Sequence, residues 1–375
     1  MKKIIPLFVL LNLFQSITMN AQFTLVKPNG YMEISGYFLG YYNYRAYPSG
    51  TTDFKNNTFA MDYAVLDFNG MHSKIWHYEF KMNTVAFVVP GTDDGAIMEA
   101  NASYNSLNDD LMIKFGYGKL PFDRSSMLEN IEFPYFERPD MDRGSVYTRR
   151  DMGVTVRYSL FNKKINLYAG AYDGIGTNVL LGKNDPSGNL EFVGRAEFSY
   201  PARYRNQEVD IVQLQVPVIA FGIDGRYSNK QSPMAGDSTL LIDGIKMASS
   251  ANVDFLYKGF TAHLEVLRMK MLPRNSDTVL LEGKPTKYLV LGGVAASLNY
   301  FIKPIKTLVA VRYDQYNPND IILGDMQQTV SYCVNYMFDG QRAMIKAQYW
   351  QRIKDSNAAT VWKPNEFRVG FQLMF

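Results

Sequence analysis

The 375-residue chain is poor in the residue types on which cysteine and histidine chemistry depends. Its single cysteine, Cys333, excludes an internal disulfide framework. Three histidines leave little for metal binding or general-base chemistry, so we expect no metal and no cofactor. Only 20% of the residues are charged and the formal net charge is +3, without a basic tail or stripe. Nucleic acid is therefore not an expected partner.

Long apolar runs are also missing. Beyond residue 21 no run approaches the ~18–20 residues that a membrane-spanning helix needs, which excludes a helical membrane protein. Disorder is excluded as well, because 47% of the residues are hydrophobic and 14% are aromatic. What is abundant is tyrosine and phenylalanine, with 26 and 24 residues.

Residues 1–21 have the pattern of a signal peptide. Lys2 and Lys3 precede an apolar stretch that runs from Ile4 to Phe14, and the small residue Ala21 precedes a plausible cleavage site. An uncleaved anchor helix is the alternative, but the apolar stretch is short for one. The sequence predicts an exported mature chain, residues 22–375, that forms one domain.

Apolar and polar residues alternate with period two along most of the chain, which is typical of β-strands. One such segment alternates Trp76, Tyr78, Phe80 and Met82 with His77, Glu79, Lys81 and Asn83. Alternation alone also fits a soluble β-sandwich. Charges in mid-strand and aromatic residues near strand ends favour a transmembrane barrel with a wet lumen. The last strand, which alternates from Phe367 to Phe375, resembles the assembly signal of bacterial outer-membrane barrels.

The pattern predicts an all-β, antiparallel transmembrane barrel of about sixteen strands in the bacterial outer membrane. Long and short connections alternate, as external loops and periplasmic turns do in such barrels. The long connections lie near 46–56, 84–96, 119–149, 173–190, 228–247, 269–287, 317–326 and 351–365. One connection, 201–218, is long where a short turn is expected. It is either a periplasmic excursion or a further hairpin that raises the count to eighteen.

The longest connection, 119–149, is the third external loop by count. It carries four apolar anchors, Phe122, Phe133, Tyr135 and Phe136. Because such side chains favour burial, we expect this loop to fold into the lumen and narrow it.

In this region the chain resembles the phosphate-selective porins O and P in their Bacteroidota form. The resembling segments are Phe115 to Phe122, Glu137-Arg138, Arg149 to Val154 and Tyr172 to Gly176. The resemblance implies a sixteen-stranded barrel, usually trimeric, with basic residues that guide anions past the third loop. The strand at 58–67 departs from the family pattern, because it offers Asp62 and Asp67 where basic residues are expected.

The candidate constriction and solute-binding residues are the basic side chains of the third loop. Guanidinium is always charged and grips phosphate or carboxylate bidentately, which makes arginine the leading candidate. The alternative is that Arg124, Arg138 and Arg143 pair with Asp123, Glu137 and Asp142 and only pin the loop to the wall. The loop has as many acidic as basic residues, so phosphate preference stays open. The candidates are Lys119, Arg124, Arg138, Arg143 and Arg149.

Five arginines of the predicted wall lie on the lumen side of their strands by parity. A lumen position avoids the ~2–4 kcal/mol cost of a basic side chain that faces mid-bilayer lipid. These residues are Arg157, Arg195, Arg226, Arg312 and Arg368.

The function predicted from these features is a porin that admits small hydrophilic solutes, with a possible preference for anions. The alternative is a plugged, non-conducting barrel that serves as a structural subunit of an outer-membrane assembly. An enzyme is not expected, because His77 and His263 each share a face with a nearby glutamate in a way typical of structural pairs. The expected partners are the outer-membrane bilayer, the solutes, two further copies of the chain, and the barrel-assembly machinery through the Phe375 strand.

Overall fold

The computed structural model describes residues 23–46, 57–88, 95–142, 147–176, 187–231, 244–274, 280–281, 284–285, 287–321, 326–354 and 365–375. The predicted signal peptide and the candidate Arg143 lie outside these residues. Within the described ranges, no helix is long and apolar enough to cross a membrane.

The structure is built almost wholly from β-strands, with short 3-10 turns at Thr84–Phe87, Ser125–Met127, Asn130–Glu132, Asp140–Asp142 and Lys303–Ile305. The strands of the first half are β1 (Phe23–Lys27), β2 (Gly30–Ala46), β3 (Asn57–His72), β4 (Trp76–Asn83), β5 (Ile97–Asn105), β6 (Leu111–Lys119), β7 (Arg150–Leu160), β8 (Ile165–Tyr172) and β9 (Glu191–Tyr200). Those of the second half are β10 (Val218–Lys230), β11 (Gly244–Tyr257), β12 (Phe260–Pro273), β13 (Leu280–Leu281), β14 (Lys284–Pro285), β15 (Leu289–Ile302), β16 (Thr307–Asn317), β17 (Gln327–Asp339), β18 (Ala343–Lys354) and β19 (Asn365–Met374).

Sixteen of these strands form a closed antiparallel barrel, which confirms the predicted fold. Each strand from β2 to β12 and from β15 to β19 pairs with its neighbour in sequence, and β19 closes the ring on β2. The closure runs from the pair Asn365–Ala46 to the pair Met374–Tyr37, and Phe375 exchanges two backbone hydrogen bonds with Gly36. Strands β13 and β14 form a small hairpin between β12 and β15.

The alternative count of eighteen strands is wrong. Residues 201–217 contain no strand, and β9 pairs directly with β10 from Tyr200–Ile219 to Phe192–Tyr227. The ring therefore has no gap at this point that another hairpin can fill.

The two ends of the barrel differ in their connections. Most connections at one end are short, and the chain between β11 and β12 turns through only Lys258 and Gly259, both with positive φ (47° and 84°). Such a two-residue turn matches the twist of the strands that it joins. The start of β2 and the end of β19 lie at this end too, and the long connections lie at the other. In outer-membrane barrels the short-turn end faces the periplasm.

The two faces of the wall differ in polarity. In β10 the exposed residues are Phe221, Ile223 and Tyr227, whereas Asp224 and Arg226, which alternate with them, are buried inside the ring. An apolar exterior requires lipid around it, and the polar interior keeps charge away from that lipid. The chain is thus an outer-membrane barrel with a charged lumen.

Candidate functional site

The described part of the third external loop, residues 120–142 and 147–149, folds into the lumen as predicted. Its four apolar anchors are at most 2% exposed. The Phe136 N–H donates to Gln348 of β18 at 2.8 Å, and the Tyr135 hydroxyl donates to Asn299 of β15 at 3.3 Å. Asn130 reaches Tyr63 of β3, across the barrel, at 2.6 Å. The loop also contacts Glu265 of β12, nearly half the ring away from β3, so it crosses the lumen.

Two wall arginines hold the loop against β16 to β19. The guanidinium of Arg312 lies 4.3 Å from the centre of the Tyr135 ring and donates to the carbonyl of Glu137 at 2.9 Å. Arg368 pairs with the Glu137 carboxylate at 2.7 Å and lies 4.6 Å from the Trp350 ring. Cation–π contacts are strongest when they are desolvated, as these are.

Arg124 is buried rather than exposed to the lumen, with 1% of its surface accessible. Its guanidinium pairs with Glu208 at 2.5 Å and with Asp254 of β11 at 2.6 Å. The pairing with Asp123 is therefore wrong. The Asp123 carboxylate instead accepts hydrogen bonds from Tyr147 at 2.6 Å and Ser250 at 3.0 Å.

Arg138 and Arg149 are also buried, with exposures of 3% and 4%. Arg138 donates to the carbonyl of Ser125 at 3.3 Å and also bonds Asn130, whereas its expected partner Glu137 pairs with Arg368. The structure places both arginines in the packing of the loop rather than on open surface.

The remaining wall arginines point inward and are engaged in ion pairs. Arg195 pairs with Glu197 at 2.8 Å and with Asp224, and Arg226 pairs with Glu191. Arg157 lies near the short-turn end and pairs with Asp109 at 2.7 Å. The charges of this part of the wall are neutralised within the protein.

Two carboxyl groups of the third loop and one of β12 form a buried cluster, which the sequence did not indicate. Oxygen atoms of Asp123, Asp142 and Glu265 lie within 4.8 Å of one another. Burial, reinforced by the neighbouring Glu265, raises the pKa of Asp142 to about 7. Burial and Asp142 together hold the pKa of Asp123 well above its usual range. Asp123 and Asp142 are therefore mainly neutral below neutral pH.

His263 is not paired with Glu265, the neighbour two residues on. Its Nδ1 lies 2.7 Å from Asp254 and its Nε2 lies 3.2 Å from the carbonyl of Glu208. Glu265 instead accepts from the backbone N–H of Ser125 at 3.0 Å. Cross-strand geometry decides this pairing, because Asp254 lies directly opposite His263 in the ladder.

An open cavity of about 260 Å³ separates the third loop from the wall formed by β4 to β8. This volume holds about nine water molecules at ~30 Å³ each. Three lysines and three glutamates line it together with apolar and neutral polar side chains. The lining residues are Glu79, Lys81, Glu99, Met112, Lys114, Lys119, Leu120, Pro121, Met127, Glu129, Thr155 and Tyr168. We call this cavity the passage.

Most charges of the passage are paired. Lys119, the one predicted site residue that lines it, binds Glu129 at 2.8 Å, and Lys81 binds Glu79 at 2.9 Å and Asp67 at 3.2 Å. Among the described residues, Lys114 has no ion pair, and its Nζ lies 3.5 Å from the carbonyl of Lys119.

Sequence reasoning missed Lys114, although the pattern contains a signal for it. Lys114 lies between Ile113 and Phe115, which are both exposed on the lipid side, so strand parity alone places it in the lumen. Strand parity cannot show that the third loop leaves a cavity on this side of the lumen, because that depends on where the loop packs.

No family model matches the chain, and no curated protein matches it in sequence. Solved structures share its fold over almost the whole length. The outer membrane channel DcaP of Acinetobacter baumannii is similar with a TM-score of 0.60 and 14% identity, over 93% of this chain and 99% of that one. OmpT, an outer membrane protein of Vibrio cholerae, has a TM-score of 0.57 and 12% identity, over 94% and 99%. An anion-selective porin from Comamonas acidovorans has a TM-score of 0.55 and 10% identity, over 92% and 100%.

These likenesses define the class to which the fold belongs. The chain has the fold of bacterial outer-membrane porins. At these identities the comparisons bear on fold alone.

Proposed function

We propose that the protein is an outer-membrane porin in which small hydrophilic solutes diffuse along the passage between the third loop and strands β4 to β8. The observation that carries this proposal is the passage itself, a cavity of about 260 Å³ that is lined by charged side chains between the third loop and the wall. Its volume suits solutes of a few non-hydrogen atoms rather than oligomers.

We further propose a modest preference for anions. The carboxylates of the passage have cation partners: Glu129 binds Lys119, and Glu99 lies 3.5 Å from Arg150. Lys114 is a half-buried ammonium group that forms no ion pair among the described residues, although Glu79 is close enough to interact with it electrostatically. An unpaired cation in a narrow, partly desolvated site attracts a phosphate or carboxylate group of a solute. This supports an anion-preferring porin, and phosphate is one candidate solute.

The experiment is planar-bilayer recording of the purified protein in a potassium chloride gradient, followed by titration with phosphate. We expect discrete conductance steps with a reversal potential on the anion side. In Lys114→Met we expect this potential to move toward cation preference and phosphate block to weaken. Lys74→Met, at an exposed position in the short turn before β4, is the matched control and leaves both unchanged.

Two outcomes contradict the proposal. If the steps are not blocked by phosphate and Lys114→Met does not change the reversal potential, the proposed anion preference is wrong and the protein is a general porin. The absence of steps from a demonstrably folded barrel removes the porin function and favours a structural subunit.

We also propose a cleaved signal peptide, a trimer and an assembly signal at the C-terminus. Cleavage of residues 1–21 is checked by sequencing the mature N-terminus, and a trimer by cross-linking in detergent. Dependence on the assembly machinery through the terminal Phe375 is checked by deleting that residue and measuring membrane insertion. We expect the protein to have no catalytic activity.

A further inference from the structure

The connection between β9 and β10, residues 201–217, enters the lumen from the short-turn end. Glu208, Val209 and Asp210 at its centre are 3%, 5% and 0% exposed. Periplasmic turns elsewhere in this barrel are only a few residues long, so this connection is far longer than joining two adjacent strands requires. We call it the inner segment.

The inner segment is held by lumen-facing side chains of two strands. The carbonyl of Glu208 accepts from Thr261 at 2.8 Å, from Asn299 at 3.0 Å and lies 3.2 Å from His263 Nε2. Three side chains inside the barrel thus contact one carbonyl oxygen of the inner segment. These contacts hold the backbone at Glu208 in one position.

Two further contacts fix the centre of the inner segment. The Asp210 carboxylate accepts the backbone N–H groups of Gly259 and Leu214, both at 2.9 Å. Val209 packs in an apolar cluster with Phe301, Leu308, Met337 and Met344. The segment therefore fills the lumen beneath β12 to β18.

Arg124 joins the inner segment to the third loop. Besides its ion pair with Glu208 at 2.5 Å, its guanidinium donates to the carbonyl of Gln207 at 3.2 Å and to the Tyr204 hydroxyl at 3.2 Å. In return, the side chain of Asn206 donates to the carbonyl of Arg124 at 3.2 Å. Four residues of the inner segment thus contact one residue of the third loop.

Little space is left where the two segments meet. Two cavities at this junction, one beside Tyr204 and Arg195 and one beside Arg124 and Glu208, have volumes of about 10 Å³ each. A cavity needs about 10–15 Å³ to hold even one water molecule. Neither of these two cavities is large enough to admit a solute.

We propose that the inner segment is a second constriction element, which closes the half of the lumen beside β9 to β18 from the periplasmic end. Arg124 and Glu208 lock it to the third loop, so that solutes are confined to the passage along β4 to β8. The inner segment thereby sets the size limit of the channel. This inference rests on the proposed porin function, but its test separates the two.

The test compares the full-length protein with a variant in which residues 201–218 are replaced by Asn-Gly, the favoured two-residue hairpin turn, so that Tyr200 and Ile219 remain a strand pair. Single-channel conductance and the size of the largest polyethylene glycol that enters the pore are measured in planar bilayers. Folding is checked by the heat-dependent shift of barrels on SDS gels. We expect conductance to rise at least about twofold with a larger size limit, because conductance grows with open cross-section.

A milder variant keeps the inference testable where the replacement fails to fold. Glu208→Gln removes the charge that pairs with Arg124 and keeps the backbone of the inner segment. We expect brief openings to the larger conductance that the unaltered protein does not show. Gln215→Ala, at an exposed position of the same segment, is the control and gives none.

The outcomes distinguish the inference from the proposed function. A conducting protein whose conductance and size limit change in neither variant overturns the inference and leaves the porin function intact. A silent full-length protein whose folded replacement variant conducts overturns the open passage and supports the inner segment as the closing element. Folded proteins that all remain silent overturn both.

Discussion

The two halves of the lumen differ in how the charged side chains of the wall are accommodated. Beside β9 to β18, the third loop and the inner segment cover the charges, which are neutralised in buried pairs such as Arg226 with Glu191. Beside β4 to β8 the charges line an open cavity, and Glu79 retains a third of its side-chain surface. A charged lumen wall therefore does not by itself make a pore. The segments that fold over the wall decide which charges meet water.

The energetic consequences follow from this difference. In the closed half a charge is stable only because its partner is fixed beside it, so the loss of one partner leaves an uncompensated buried charge. In the open half water replaces a lost partner, so substitutions change ion preference more than stability.

The largest effect is expected at the packing of the third loop. Phe136 is fully buried, and its ring centre lies 5.2 Å from that of Tyr41. Phe136→Ala leaves a cavity and costs about 3–5 kcal/mol. We expect a lower unfolding midpoint in urea together with a larger, noisier conductance as the loop loosens. Phe161→Ala, in an exposed turn, is the control. An unchanged conductance in Phe136→Ala contradicts a role of the loop in closing the lumen.

A somewhat smaller loss is expected from a buried charge of the closed half. Arg226 binds Glu191, donates twice to Thr148 at 2.9 Å, and lies 5.2 Å from the Phe122 ring centre. Arg226→Met costs about 3 kcal/mol, at the low end for a broken buried pair, because Lys246 still faces Glu191.

The comparison variant for this measurement is Arg45→Met. Arg45 pairs with Glu366 at 3.4 Å, but a third of its side chain is exposed, so its loss costs less than about 1 kcal/mol. Urea unfolding of both variants in detergent gives the difference. Equal losses of unfolding free energy in Arg226→Met and Arg45→Met would falsify the claim that buried charges contribute more to stability than exposed ones.

Because of the carboxyl cluster, we expect the stability of the protein to depend on pH. Because the folded pKa of Asp142 is raised to about 7, the stability that its neutral form contributes is complete below the ordinary value of 3.8. That contribution is lost as the pH rises through about 7. We expect the thermal unfolding midpoint to fall between pH 5 and pH 8, and Asp142→Asn to weaken this dependence.

The control for the pH series is Asp109→Asn. The ion pairs of Asp109 with Lys163 and Arg157 outweigh its partial burial and lower its pKa, so it has finished titrating below pH 5. Its variant should keep the slope of the unaltered protein. A slope that survives in Asp142→Asn refutes the assignment to this cluster.

The smallest effect is expected in the passage. Glu79 binds Lys81 at 2.9 Å, but Lys81 keeps Asp67 at 3.2 Å when Glu79 becomes neutral. Glu79→Gln therefore costs less than about 1 kcal/mol in urea unfolding, and it moves the reversal potential slightly toward anions. Asp339→Asn, at the exposed end of β17, leaves the potential unchanged. A shift toward cations in Glu79→Gln is inconsistent with solutes moving through the passage.

Much of the barrel was predictable from local pattern. Alternation such as that from Trp76 to Asn83 specifies a strand and its two faces, because successive side chains of a strand point to opposite sides. The same rule placed Arg195, Arg226, Arg312 and Arg368 on the polar parity, and the structure buries them inside the ring. The anchors Phe122 and Phe136 likewise indicated that the third loop folds inward.

The pairing of charges was not predictable in the same way. The sequence offered Arg124 either as a solute-binding residue or as a partner of its neighbour Asp123, yet Arg124 binds Glu208, which lies 84 residues further along the chain. Glu208 belongs to a connection that the pattern left undecided between an excursion and a hairpin. Only the closed ladder between β9 and β10 shows that this connection has no place in the wall and must lie elsewhere.

The sequence by itself determined a barrel, its strand parity and an inward third loop, since these depend on contacts between residues near in sequence or on burial of apolar side chains. Which half of the lumen stays open was decided only by the tertiary structure. That choice depends on Arg124, Glu208 and Asn299 meeting inside the ring, and residues so far apart in sequence carry no local signal of their contact.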